Sequence, residues 1–255
     1  MGNGVVNILR EGCVTRPEWE ARQLLAAPGD AESLARRRAA GEPLAYVLGE
    51  WDFYGLTLRI TPDVLIPRPE TELLVDEVLS FLRRTPPGTG VLDLCCGSGC
   101  IGLAVAANCP GARVTYADIS EPALNVARQN GCEDILRLDA LKPPEENLFG
   151  RFAVLVCNPP YIAPDEALDS SVRDYEPPLA LHGGTDGLDF YRSLLPGWLP
   201  ALKDGGLFAA EVGWRQGETV ASMARRAGLS GVRLVPDYAG HGRVVLGRQS
   251  RTKQG

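Results

Sequence analysis

Histidine and methionine are the scarcest functional residues of this 255-residue chain, at two each, and aromatics make up only 7% of it. His182 and His241 stand far from each other and from any group of cysteines, and neither pairs with a serine and an acid in a recognisable triad. The seven cysteines (Cys13, Cys95, Cys96, Cys100, Cys109, Cys132 and Cys157) form no CxxC pair, so zinc-ligand spacing is missing and no metal is expected. Their odd number argues for reduced, buried thiols, hence a cytoplasmic protein. No apolar run approaches a membrane span. The first residues carry no apolar signal core, and Met1-Gly2 followed by Val6 lacks the Ser or Thr of a myristoylation signal. Excess positive charge is also lacking. The net charge of −6 gives no sign of a duplex-coating face, so no stable nucleic-acid binding is expected.

What is present is a core-forming chain, 45% hydrophobic and 23% charged, long enough for one large domain or for a domain with an appendage. Residues 17–27 and 30–40 read as helices. Pro17 opens the first, and Asp30 caps the second, which Gly41 ends. Tyr46-Val47-Leu48-Gly49 and residues 51–60 are rich in aromatic and β-branched residues with glycine punctuation and predict a hairpin. Residues 70–84 read as a helix after the rigid Pro67-Arg68-Pro69, and residues 85–90 as a linker. From residue 91 strands and helices alternate. Strands are expected at 91–94, 113–117, 135–138, 152–157, 207–212, 232–235 and 243–246, with helices at 101–108, 122–130, 188–202 and 216–227. The alternation implies an α/β fold, a Rossmann-like, mostly parallel sheet with helices on both faces and ligands at the carboxyl ends of its strands.

Two segments carry chemistry. The first is Asp93 to Gly99 (Asp93-Leu94-Cys95-Cys96-Gly97-Ser98-Gly99), at the end of the first strand of the alternating region. Gly97 and Gly99 permit a tight turn and close backbone approach to a ligand. Asp118 ends the next strand, where an acid can take both ribose hydroxyls, with Ile119 following. Asp139, followed by Ala140, ends the third strand, beside where an adenine would lie. The literal GxGxxG of Gly97, Gly99 and Gly102 also admits a dinucleotide. The Asp93 carboxylate argues against a pyrophosphate on Coulombic grounds and suits a ligand with an ammonium and a sulfonium, such as S-adenosylmethionine. The second segment is Asn158-Pro159-Pro160-Tyr161, after the apolar run 152–157. Two prolines cannot continue a strand, so the chain breaks there. The break frees the Asn158 side-chain oxygen and the Pro159 carbonyl. With the Tyr161 ring they form a receptacle for a planar NH2 group. A proline-rich turn after a core strand is the plainer reading of the tetrapeptide by itself.

Taken together, these segments resemble the Class I S-adenosylmethionine-dependent methyltransferases that act on exocyclic or amide NH2 groups. Further segments narrow the resemblance. Residues 45–50, Phe53-Tyr54-Gly55-Leu56, Ile66-Pro67-Arg68-Pro69-Glu70-Thr71-Glu72, Glu176-Pro177-Pro178-Leu179-Ala180-Leu181, Gly187-Leu188-Asp189-Phe190-Tyr191 and residues 243–247 are similar to the release-factor glutamine N5-methyltransferases, the PrmC/HemK family. The resemblance spans roughly residues 42–248. It implies a shortened helical N-terminal recognition domain (1–50), a hairpin and linker helix (51–84) and a methyltransferase domain (85–255). It implies S-adenosylmethionine bound by Asp93, Cys95, Cys96, Gly97, Ser98, Gly99, Asp118, Ile119, Asp139, Ala140 and Asn158. It also implies catalysis by Asn158, Pro159 and Tyr161 on a release-factor glutamine, with Pro160 in the substrate contact. An enzyme for adenine N6 or guanine N2, or for a ribosomal-protein glutamine, is the alternative; Pro69-Glu70-Thr71-Glu72 favours release factors over the latter. The family has Gly-Thr where Cys95-Cys96 stands here. Arg68 is read as bracing the hinge between domains in preference to binding a protein partner, Glu176 as either a turn cap or a substrate contact, and Glu211 as an acid near the cofactor edge without an assigned role.

Overall fold

The computed structural model describes residues 2–250. Three helices open the chain: α1 (Gly2–Glu11), α2 (Pro17–Ala26) and α3 (Ala31–Ala39). They bury Val5, Leu9, Ala21, Leu24 and Ala35 against Leu44 and Val47. Asp30 caps α3 as expected, its carboxylate accepting from Ser33 N at 3.0 Å. Helix α1 has no counterpart among the elements expected from sequence. Gly2, Asn3 and Gly4 are poor helix formers, and only Val5 and Leu9, at i and i+4, mark a buried stripe.

Residues Tyr46, Val47 and Leu48 do not join a hairpin. They lie in the short helix α4 (Leu44–Leu48), which Pro43 introduces and Gly49 ends in the left-handed region at φ 77°. The β-branched signal is overridden because Tyr46 and Val47 point into two different apolar clusters, which one helical turn permits. The hairpin itself is β1 (Glu50–Phe53) with β2 (Leu56–Arg59), turning at Tyr54-Gly55. Helix α5 (Glu72–Leu82) follows, and buries Leu74, Val75, Val78, Leu79 and Leu82.

The remainder builds one seven-stranded sheet. Its strands are β3 (Gly90–Leu94), β4 (Arg113–Asp118), β5 (Asp134–Arg137), β6 (Phe152–Cys157), β7 (Leu202–Glu211), β8 (Ser230–Pro236) and β9 (Gly242–Arg248). The order is β5-β4-β3-β6-β7-β9-β8; the first five run parallel and β9 is antiparallel to both neighbours. Helices α6 (Cys100–Asn108), α7 (Glu121–Gln129), α10 (Asp189–Gly197) and α11 (Gly217–Arg226) cover it, with one-turn helices α8 (Ser170–Arg173) and α9 (Pro178–Leu181) in the loop after β6. The helix expected over 188–202 stops at Gly197 because Pro196 and Pro200 remove backbone donors, and Leu202 already begins β7.

Side-chain alternation assigns the two faces. Val91, Val154, Val156, Leu207 and Ala209 pack on one side with α5 and α6, and Leu92, Leu94, Leu155, Cys157, Phe208 and Ala210 pack on the other with α10 and α11. The chain runs outward from β3 to β5 and then returns to place β6 on the opposite side of β3. The order therefore reverses between β3 and β6, and a crevice opens at their carboxyl ends.

Candidate active site

Register brings the two chemical segments together at that crevice. Leu94, last in β3, pairs with Cys157, last in β6, and with Ala117 of β4. Cys95 and Asn158 thus emerge side by side, with Asp118 one strand away. A cleft opens between them, lined from β3, β4 and β6 and from the residues before α5.

Asp118 anchors the β4 side of the cleft. Its carboxylate accepts from Gly97 N at 3.0 Å and from Ser120 N at 2.9 Å. Burial nonetheless raises its pKa, with these backbone bonds opposing the rise. The turn around it is left-handed at Cys95 (φ 61°) and Gly97 (φ 54°), and a Cβ built on Gly97 would meet only open space. Ile119 and Leu141, both more than 40% exposed, line the same cleft with Ala140 and Phe190. An acid beside a flat apolar slot, with a glycine facing the opening, fits a nucleoside. Asp139 lines the cleft too, its carboxylate accepting from Leu141 N at 3.0 Å.

Cys95, Cys96, Gly97, Ser98, Asp118, Ile119, Asp139, Ala140, Asn158 and Pro160 line the cleft; Asp93, Gly99, Pro159 and Tyr161 do not. Asp93 is fully buried, on the α6 side of the sheet, and its Oδ2 accepts from Gly102 N at 2.8 Å. It holds the start of α6 rather than presenting a carboxylate to a ligand's ammonium. Among the described residues its Oδ1 has no hydrogen-bond partner, and desolvation raises its pKa to about 7. Gly99 is committed to packing: a Cβ there would stand 2.4 Å from Cys132 Sγ. The literal GxGxxG therefore works as a turn and a helix–sheet contact.

On the β6 side of the cleft, Asn158 Nδ2 donates to Thr71 Oγ1 at 3.3 Å, and Thr71 Oγ1 donates to Glu211 Oε2 at 2.6 Å. Tyr161 OH donates to Glu211 Oε1 at 3.3 Å. Among the described residues neither Asn158 Oδ1 nor the Pro159 carbonyl accepts a hydrogen bond. Tyr161 is thus tied back to Glu211. The loop 183–187 buttresses the tetrapeptide from behind: a Cβ on Gly183 would lie 2.7 Å from the Pro160 carbonyl, and one on Gly187 2.2 Å from that of Tyr161. Gln216 Nε2 donates to the Tyr161 and Gly187 carbonyls at 2.9 and 3.2 Å. Arg68 lines the cleft and pairs with the buried Glu176, whose Oε2 accepts from Ile66 N at 3.3 Å. The ion pair clamps the residues before α5 to the loop after β6, and the buried Glu176 carboxylate serves the clamp.

A family model described as the methyltransferase small domain matches residues 70–174. The release factor glutamine methyltransferase of Caulobacter vibrioides is 44% identical over 249 residues, covering 94% of this chain and 84% of that protein. The one from Chlamydia trachomatis serovar L2 is 42% identical over 210 residues, covering 80% and 71% respectively. This chain belongs to the release factor glutamine methyltransferases. The solved structure of a methyltransferase from Pyrococcus furiosus, 18% identical with a TM-score of 0.54 over 78% of this chain and 91% of that one, shares the fold. For this member of the release factor glutamine methyltransferases, sequence reasoning missed Thr71, Leu179 and Phe190 as cleft residues. All three sit in the motif segments quoted above, but nothing in their spacing says which way they face.

Proposed function

We propose that this chain transfers the methyl group of S-adenosylmethionine to the side-chain amide nitrogen of the glutamine in the Gly-Gly-Gln sequence of peptide chain release factors. The observation that carries this reading is the orientation of Asn158, whose nitrogen is engaged by Thr71 while, among the described residues, its oxygen accepts no hydrogen bond. S-adenosylmethionine supplies, when bound, an electrophilic methyl on a sulfonium. Asp118 would hold the ribose hydroxyls, Ile119, Ala140 and Leu141 the adenine, and the backbone of residues 95–99 the remainder. Asp93 contributes from behind, by fixing the turn.

An amide nitrogen is a poor nucleophile because its lone pair is delocalised into the carbonyl. Asn158 Oδ1 and the Pro159 carbonyl would accept its two hydrogens, hold it in line and favour the positive charge that grows on nitrogen. Orientation of this kind is worth up to ~7–11 kcal/mol. Each acceptor adds ~3–4 kcal/mol by analogy with oxyanion-hole donors of opposite sign. The nitrogen's proton becomes acidic once the methyl has moved, so the chain need offer no general base. Tyr161, tied to Glu211, would form the wall behind the glutamine.

Release factors as substrate favour a cytoplasmic protein, and no described helix is long and apolar enough to cross a membrane. The helices α1–α3 would help hold the release factor, as an N-terminal unit ahead of the hairpin. The test is a labelled-methyl assay with a release factor, a DNA duplex and ribosomal RNA as separate acceptors. Label in the release factor that vanishes on Gln→Ala in its Gly-Gly-Gln loop, and on Asn158→Ala in this chain, supports the reading. Label confined to nucleic acid overturns it.

A further inference from the structure

We infer that Glu211 and Thr71 are positioning residues which set the orientation of the Asn158 carboxamide and so decide which of its ends meets the substrate. The inference rests on the function proposed above. A carboxamide presents an acceptor from one end and donors from the other, and the two ends are nearly the same shape. Nothing in the Asn158-Pro159-Pro160-Tyr161 backbone selects between them. The buried chain of hydroxyls behind it does.

Glu211 is only 2% exposed, at the end of β7, and receives two hydroxyl protons, from Thr71 at 2.6 Å and from Tyr161 at 3.3 Å. A carboxylate accepts and cannot donate. Thr71 therefore spends its one proton on Glu211, and its lone pair is what remains toward Asn158. Only the NH2 end of Asn158 can satisfy that lone pair, as the 3.3 Å contact from Nδ2 records. The oxygen is turned the other way, to where an amide N–H would be received. The flipped rotamer would set Asn158 Oδ1 against a hydroxyl oxygen with no hydrogen to share, and would offer donors to a substrate that itself donates.

Three elements far apart in sequence converge here. Thr71, itself 2% exposed, precedes α5; Asn158 follows β6; Glu211 ends β7. The main chain of Glu211 is held as well, its carbonyl accepting from Tyr191 OH at 2.8 Å. Burial raises the pKa of Glu211, with the two hydroxyl bonds and Arg243 opposing the rise.

The test uses Thr71→Val, which removes the hydroxyl at nearly constant shape, and Thr71→Ser, which keeps it. Steady-state kinetics on a release factor should show kcat for Thr71→Val down by about tenfold or more, with KM and cofactor affinity within about threefold of the parent; Thr71→Ser should restore most of the rate. Glu211→Ala, which leaves the hydroxyl free to turn toward Asn158, should lose kcat in the same manner and serves as the test if Thr71→Val does not fold. Thr71→Val/Asn158→Ala should be no slower than Asn158→Ala alone, because the relay acts only through Asn158. Parental kcat in Thr71→Val, or losses that multiply in the double variant, overturns the relay while leaving the proposed reaction standing. Unimpaired release-factor methylation by Asn158→Ala overturns both.

Discussion

The buried acid behind the glycine turn has a consequence for stability. Asp93 is fully buried, with one oxygen bonded to Gly102 N and the other without a partner, and its pKa is raised from 3.8 to about 7 by desolvation, with the Asp118 charge adding to it. An acid whose pKa rises on folding binds its proton more tightly in the native state. The Asp93 contribution to native stability is then greatest at low pH and is lost as pH climbs from the unfolded value of 3.8 through the folded value near 7. The whole difference corresponds to about 4 kcal/mol, of which about 3 kcal/mol falls between pH 5 and pH 8. Asp93→Asn keeps an acceptor for Gly102 N and removes the titration. Urea unfolding of the cofactor-free protein at both pH values is the assay. With an m-value of about 3 kcal/mol/M, the parent's midpoint should drop about 1 M more than the variant's over that interval. Asp118, raised in the same direction by burial, is present in both proteins, so only its Coulombic coupling to Asp93 differs between them. Parallel pH dependences for parent and variant would refute the reasoning.

Gly187→Ala forces a Cβ to 2.2 Å from the Tyr161 carbonyl at a φ of +74°, and should cost about 2–4 kcal/mol by thermal denaturation and slow methylation by displacing the tetrapeptide. Glu176→Ala leaves Arg68 without its partner at the cleft wall. Arg68 retains some solvent, so the expected loss is about 1–3 kcal/mol of stability, with a higher KM for the release factor rather than a lower kcat. Thiol titration of the folded protein at neutral pH should modify Cys13 first, since it is the one described cysteine classed as exposed. Burial pushes the thiols of Cys96 and Cys157 up and that of Cys100 to about 12, and Cys95 rises through its hydrogen bond to Cys157 and burial. Rapid modification of Cys95 or Cys96 would contradict their placement.

Much of the sheet was legible because β4, β6, β7 and β8 carry apolar runs that stop at an acid or a proline. Residues 152–157 are bounded in the structure as they read in sequence, since Pro159 leaves no alternative end. Cysteine at 95 where the family has glycine leaves the turn intact, at the cost of a non-glycine residue at φ 61°. The N-terminal region was harder to read. Helix α1 begins with Gly-Asn-Gly and exists because Val5 and Leu9 find α2 and α3, a tertiary reason that no local propensity carries. Position within the site was the least legible. Asp93 and Asp118 both stand near strand ends, and register puts them on the same face of the sheet, yet Asp93 pairs with Tyr116 below the rim and is buried against α6, while Asp118, two residues further along β4, lines the cleft. Thr71 and Glu211 are 140 residues apart and acquire meaning only when the pairing of β6 with β7 brings Asn158 to the Thr71 hydroxyl.

The most direct test is the position of the transferred methyl. After incubation with the chain and cofactor, the release-factor peptide holding Gly-Gly-Gln is isolated and fragmented in a mass spectrometer. The account predicts one added methyl, on the side-chain nitrogen of that glutamine, present with the parent chain and absent with Asn158→Ala. A methyl on any other residue, or an unmodified glutamine beside methylated nucleic acid, would contradict it.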